Sequence, residues 1–148
     1  MAGTTVYPAK VNLKALLEAH TWPVEAPSIS WGSPTENEDH PTLDLIYFGD
    51  TEIADDFRIL GATRSDESYK LRVVIDVRRW GDDEQATEQR AWDLHDQILT
   101  LLRANMTLGG AINRITGYVV RQANPVPSPQ QWRSLIAIEV SCVGFIQY

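Results

Sequence analysis

The hydrophobic period changes twice in the second half of this chain, and that change limits its folds more than any other feature. Tyr69, Leu71, Val73, Ile75 and Val77 alternate with Lys70, Arg72, Asp76 and Arg78, the period of a half-buried strand. From residue 83 the period lengthens. Ala91, Leu94, Ile98, Leu101 and Leu102 recur at spacings of three and four over 83–104, with Asp93, Asp96, Gln97, Thr100 and Arg103 on the opposite side. This is an amphipathic helix with one face to bury. Its four large aliphatic side chains would contribute roughly 1.5–3 kcal/mol each before ordering entropy is subtracted. Gly81 breaks the strand, Asp82 suits the N-cap, Gln85 stands where a capping-box partner reaches back, and Asp83 and Glu84 suit the positive end of the dipole. Arg103 suits the other end, and residues 105–110 stop the period.

Alternation then returns. Ile136, Ile138, Val140, Cys142 and Ile146 share one face against Leu135, Ala137, Glu139, Ser141 and Val143, and residues 115–122 read as a shorter strand. These two form a hairpin whose loop, 124–129, carries three prolines and is expected to stay out of the ladder. A strand over 132–147 would span on the order of 50 Å, well beyond the usual five or six residues. The expectation is an edge that outruns its own domain, covered by another copy placed by rotational symmetry.

Upstream the signals are weaker. Residues 1–10 carry no pattern and are expected to form a mobile arm or to order on a partner. A short helix over 11–20 uses Val11, Leu13, Leu16 and Leu17 and ends at Trp22-Pro23. Residues 27–32 read as a short strand and 33–41 as an acidic loop. Leu43, Leu45 and Tyr47 alternate in a further strand, Gly49-Asp50 turns, 52–56 is acidic loop, and 57–61 leads towards the long strand. The fold class is therefore α+β over a single domain, 1–148: a mixed or antiparallel sheet packed by one long and one short helix, with a strand-helix-hairpin C-terminal half.

A chain of 148 residues, 43% hydrophobic and 22% charged, has the composition of one soluble globular domain. No apolar run approaches the roughly 18 residues of a membrane span, and the N-terminus lacks a secretion signal, so a cytoplasmic protein with no membrane role is expected. The net charge of −7 argues against nucleic-acid binding, which draws on Lys and Arg contacts to phosphates. Cys142, the one cysteine, has no disulfide partner within the chain and no second thiol for zinc. His20, His40 and His95 are far apart, Glu36-Asn37-Glu38-Asp39 lacks the glycine and alternation of a calcium loop, Gly109-Gly110 is followed by no Lys-Ser, and no G-x-S-x-G occurs. No catalytic, metal or cofactor site is expected.

Candidate interface residues come from charge and aromatics. Arg72, Arg78 and Arg79 read as an exposed basic cluster, either a solvated strand face or a site suited to acidic residues such as Glu52, Asp55 and Asp56 of a neighbouring copy or of a partner protein. Trp80 and Trp132 flank the long strands, where amphipathic rings serve as anchors. Trp92, off the main stripe of its helix, reads the same way, and all five tryptophans, with Trp22 and Trp31, are as well suited to completing the core.

The order of elements carries a resemblance. A short N-terminal helix, strands ending near Leu60-Gly61-Ala62-Thr63-Arg64, then Glu67-Ser68-Tyr69-Lys70-Leu71-Arg72-Val73-Val74-Ile75, a Gly-Asp-Asp helix start, Arg90-Ala91-Trp92-Asp93-Leu94, and Thr107-Leu108-Gly109-Gly110 before a closing hairpin resemble the tail terminator proteins of long-tailed bacteriophages. The likeness spans residues 11–148. It implies a sheet packed by helices, assembled as a hexameric ring on the last ring of the tail tube. It also implies the role: ending tube polymerisation and offering a surface to the head-side connector or stopper protein, with neither enzymatic activity nor cofactor. Such a protein is made in the host cytoplasm and resides in the virion. DNA would pass through its lumen without specific binding, in keeping with roughly −40 on six copies. The family has no fixed motif to carry over residue by residue. Alternatives are another neck component, a head-completion or stopper protein, and more distantly a small-ligand or enzymatic α+β domain.

Overall fold

Two strands of seventeen residues, β4 (Arg64–Trp80) and β6 (Gln131–Gln147), pair antiparallel along their whole lengths and form the middle of the sheet. The computed structural model describes residues 4–23, 25–32, 43–57, 64–80, 84–128 and 131–147; of these, 43, 54–57, 64–66, 80, 122, 124–128, 131 and 146–147 are described by backbone alone. Around the central pair stand α1 (Val6–Ala19), β1 (Ser28–Ser30), β2 (Leu43–Phe48), β3 (Glu52–Phe57), α2 (Glu84–Ala104) and β5 (Arg114–Ser128). The six described strands are ordered β1-β2-β4-β6-β5, with β3 also on β4, and all pairs are antiparallel except β1 with β2. Following one another along the same edge of β4, β2 and β3 meet residues 73–78 and 66–70 respectively. They are separated by the expected turn, where the Gly49 N–H donates to the Arg72 carbonyl at 2.9 Å.

Both helices pack on one face. The buried stripe of α2, Ala91, Leu94, Ile98, Leu101 and Leu102, is the one its period predicts, extended by Thr87 and His95. It meets Tyr69, Leu71, Val73, Ile75 and Val77 of β4 and Ile136, Ile138, Val140 and Cys142 of β6, all at most 1% exposed. Ala9, Leu13 and Leu17 of α1 join the same core. After α2, Leu108, Gly109 and Gly110 all have positive φ, a left-handed exit in which the Asn12 side chain of α1 donates to the Leu108 carbonyl at 2.9 Å.

Several expectations change. β6 does not present the open edge, because β4 covers it on one side and β5 on the other, and the unpaired backbone passes to β5. The proline-rich segment does join the ladder: β5 continues to Ser128, with Pro125 opposite Ser134 and Pro127 opposite Trp132. Prolines are tolerated on an edge strand, and their spacing of two lets both imide nitrogens face the open side. The acidic stretch 52–56 is strand β3, since pairing with β4 outweighs its weak intrinsic preference. In β2 it is Ile46 and Phe48 that enter the helix-side core, opposite Ile75 and Val73, while Leu45 and Tyr47 lie on the other face with Asp76 and Val74.

The first helix starts at Val6, five residues before its expected start, and takes in Pro8, whose missing N–H costs nothing in a first turn. Residues 4–10 are thus part of the fold. The expected acidic loop at 33–41, the approach at 58–61 and the Gly81-Asp82 helix start lie outside the described residues, as do residues 1–3.

Candidate functional site

Strand alternation sends the even-numbered positions of β4 to the face away from the helices, and there the polar residues gather into two ionic clusters. In the first, Asp76 is fully buried and accepts from two guanidinium forks: Arg133 Nε and Nη2 at 3.0 and 2.8 Å, and Arg78 Nε and Nη2 at 3.4 and 3.1 Å. Laid across the pleat, these arginine stems shield the carboxylate they bind. The second cluster centres on Glu139. Arg121 Nε donates to it at 2.8 Å, Arg72 Nη2 at 3.5 Å, and Lys70 Nζ stands 3.9 Å away. Together with Asp50, Thr51 and Glu52, Lys70, Arg72 and Glu139 line a polar cleft of about 190 Å³.

Arg121 beside it, aided by Lys70 and Arg72, holds the Glu139 carboxyl below its ordinary range. A depressed folded-state pKa contributes stability at pH above the unfolded value, about 4.3, and loses it as pH falls through the folded value. Acid unfolding should therefore include this step. The Glu139→Gln variant is expected to be modestly less stable than the wild type at pH 7, solvent screening of the exposed partners keeping the difference small, and this deficit should close as pH falls below about 4 in urea titrations.

The expected interface residues do not form one cluster. Arg72 is on the open face, partly exposed, and shares the cleft with Glu52 of its own chain. Arg78 is buried against Asp76 rather than exposed. Arg79 has the opposite parity and meets Asp44 at 2.6 Å on the helix side, where Arg90 of α2 also reaches Asp44 at 3.0 Å. Reversing Arg78 and Arg79 would thus break pairs within the chain. Trp132 is half-buried on β6, opposite Arg79. The backbones of Asp55 and Asp56 lie in β3 and that of Trp80 ends β4; their side chains are outside what the structure describes.

Arg121, Arg133, Asp76 and Glu139 went unmarked in the sequence. The i, i+2 spacing of Asp76 and Arg78 was the available signal for the first cluster; cross-strand partners had none.

The two flanks of the sheet differ from its faces. β5 pairs only with β6, and β3 only with β4, so each has a second edge without a strand partner among the described residues. Val119 on β5 is 42% exposed and Ile53 on β3 is 51% exposed, large apolar side chains at open edges.

Other chemistry is sparse. Burial pushes the Cys142 thiol up to about 12, the behaviour of a core hydrophobe and not of a nucleophile. His95 Nδ1 lies 3.0 Å from Asp96 Oδ1, but its buried Nε2 has no partner among the described residues, nor does the Tyr118 hydroxyl beside its ring, so His95 is only half satisfied. Among the described residues no group of three or more His, Cys, Asp or Glu could hold a metal ion, and no helix is long and apolar enough to cross a membrane.

No family model matches the sequence, and no curated protein matches it. Among solved structures, a chain of "Virion of native gene transfer agent (GTA) particle" aligns over 91% of this chain and 94% of its own at 12% identity, with a TM-score of 0.42. Similarity at that level says nothing of function.

Proposed function

We propose that this chain is a structural virion protein of the tail terminator kind: a hexameric ring that caps the tail tube, ends its polymerisation and joins it to the head-side connector. The observation that carries this reading is the fifteen-residue outer edge of β5, with a second open edge on β3 at the other flank. An exposed edge of that length is an aggregation hazard unless a partner covers it, and copies related by rotation cover it without leaving a free end. The element order supports the reading too, since a helix, paired strands, a long helix and a closing hairpin follow one another as the resemblance implies. The role uses no enzymatic activity and no cofactor. DNA traverses the lumen without specific binding, as the net charge of −7 per chain favours.

The test is electron microscopy of the purified protein in negative stain, with and without tail tubes, paired with mass by light scattering. Rings with a central hole that sit on tube ends and stop their growth are the expected result. A 16.7 kDa species at every concentration that leaves tubes growing would overturn it, and capping of filled heads instead of tubes would reassign it to another neck component.

A further inference from the structure

Strands β3 and β5, whose outer edges have no strand partner among the described residues, carry opposite charge. β3 holds Glu52, Asp55 and Asp56 and no basic residue, whereas β5 holds Arg114 and Arg121 and no acidic one. They also run in opposite directions, since β3 is antiparallel to β4 and β5 is parallel to it through β6. Most informative is their level along the strands. Glu52 and Asp55 lie opposite Lys70 and Ser68 of β4, which lie opposite Ser141 and Val143 of β6, which in turn lie opposite Gly117 and Arg114 of β5. The acidic segment on one flank and the basic segment on the other are thus at the same height.

Resting on the ring reading above, we infer that β5 of one copy pairs antiparallel with β3 of the next, placing Arg114 beside the neighbour's Asp55 in a sheet that runs unbroken around the ring. A flat ring requires joining surfaces with no offset along the axis, because any offset turns a closed ring into an open helix. Matching heights on the two flanks meet that requirement for strands that run along the axis. Both segments also carry a one-residue register shift near that height, between Ile53 and Asp55 and between Ile115 and Gly117. Bulged edges resist indiscriminate strand addition and favour a partner with matching irregularity. Pairing would cover the outer edge of β5 over 114–117 and bring the exposed Ile53 level with Ile115, while Val119, level with Arg72, stands just past the end of β3.

The dimensions agree with a capping role. At this height each copy contributes four strands, β5, β6, β4 and β3. Six copies at roughly 4.8 Å per strand give a band about 115 Å around and about 37 Å across, wide enough for a DNA duplex to pass. Arg114 is exposed and has no partner within its chain among the described residues, so reversing it does not disturb the subunit itself.

The experiment is a charge exchange read by light scattering and electron microscopy on the full chain, with thermal unfolding to verify that each variant is folded. Arg114→Glu and Asp55→Arg are each expected to abolish the ring, and the double variant to regain it. In a parallel arm, oxidised Arg114→Cys/Asp55→Cys should give a ladder of covalent multimers up to six chains, absent from either single cysteine variant. Rings that survive both single reversals, or that appear without the ladder, overturn the strand pairing while leaving the capping role in place. Wild-type protein that forms no ring, free or on tube ends, overturns both.

Discussion

Asp76→Ala is expected to destabilise the protein by about 3–5 kcal/mol, the usual cost of removing one partner from a buried ion pair. The size follows from burial. Asp76 is wholly inaccessible, and the side chains of Arg78 and Arg133 that fork onto it are only 10% and 30% exposed. Without the carboxylate, two guanidinium groups lose bidentate hydrogen bonds and repel one another across adjacent strands. Pairing Asp76→Ala with Arg133→Met should cost less than the sum of the two single changes, because the second removes part of the charge the first leaves uncompensated. Urea unfolding followed by tryptophan fluorescence measures this. Single and double variants that prove strictly additive would show that Asp76 and Arg133 do not act as a pair.

Gly144→Ala is expected to cost about 2–4 kcal/mol, an overpacking penalty together with the loss of a buried carboxylate's hydrogen bonds. A Cβ at Gly144 would stand 2.2 Å from Thr5 Oγ1 and 3.0 Å from Thr5 Cβ, too close for any rotamer change to relieve. Thr5 cannot yield cheaply. Its N–H and hydroxyl both donate to Glu67, its hydroxyl lies 2.9 Å from the Tyr69 hydroxyl, and Thr4 bonds both Glu67 oxygens. Glu67 is 1% exposed, and its charge sits where α1 presents its positive end. Displacing Thr5 therefore strands a buried carboxylate and frees the start of α1 together. Limited proteolysis should cut the variant first near residues 4–10. Adding Thr5→Ala, which removes the Oγ1 and Cγ2 clashes but keeps Cβ, should recover most of the steric part of the loss but not the hydroxyl's hydrogen bonds, and full recovery would show that the hydroxyl bond to Glu67 contributes nothing.

The positions hardest to read in the sequence were the ones where a local pattern met a distant partner. Glu52 to Asp56 has the composition of a solvated loop and becomes a strand only because β4 offers it a ladder. The proline run at 124–128 breaks a central strand and is accepted on an edge, a distinction that depends on what lies beyond it. Thr4 and Thr5 carry no periodicity, yet they hold Glu67, more than sixty residues away. Arg72, Arg78 and Arg79 look alike in the sequence and end in three settings: a cleft, a buried fork and a helix-side pair.

Periodicity is a local property, so the amino-acid order alone determined the strand character of β4 and β6, the helical character of α2, its buried stripe and the core faces of β4 and β6. Those assignments need only the spacing of apolar side chains within one segment. Register, strand order and the identity of the open edge join residues far apart in the chain, and no spacing within a segment encodes them. The tertiary structure decided that β5 and not β6 lies at the edge, that Asp76 meets Arg133, and that an acidic flank and a basic flank stand at one height. It did so because each depends on which strand lies alongside which, set by burial of the whole sheet against its helices.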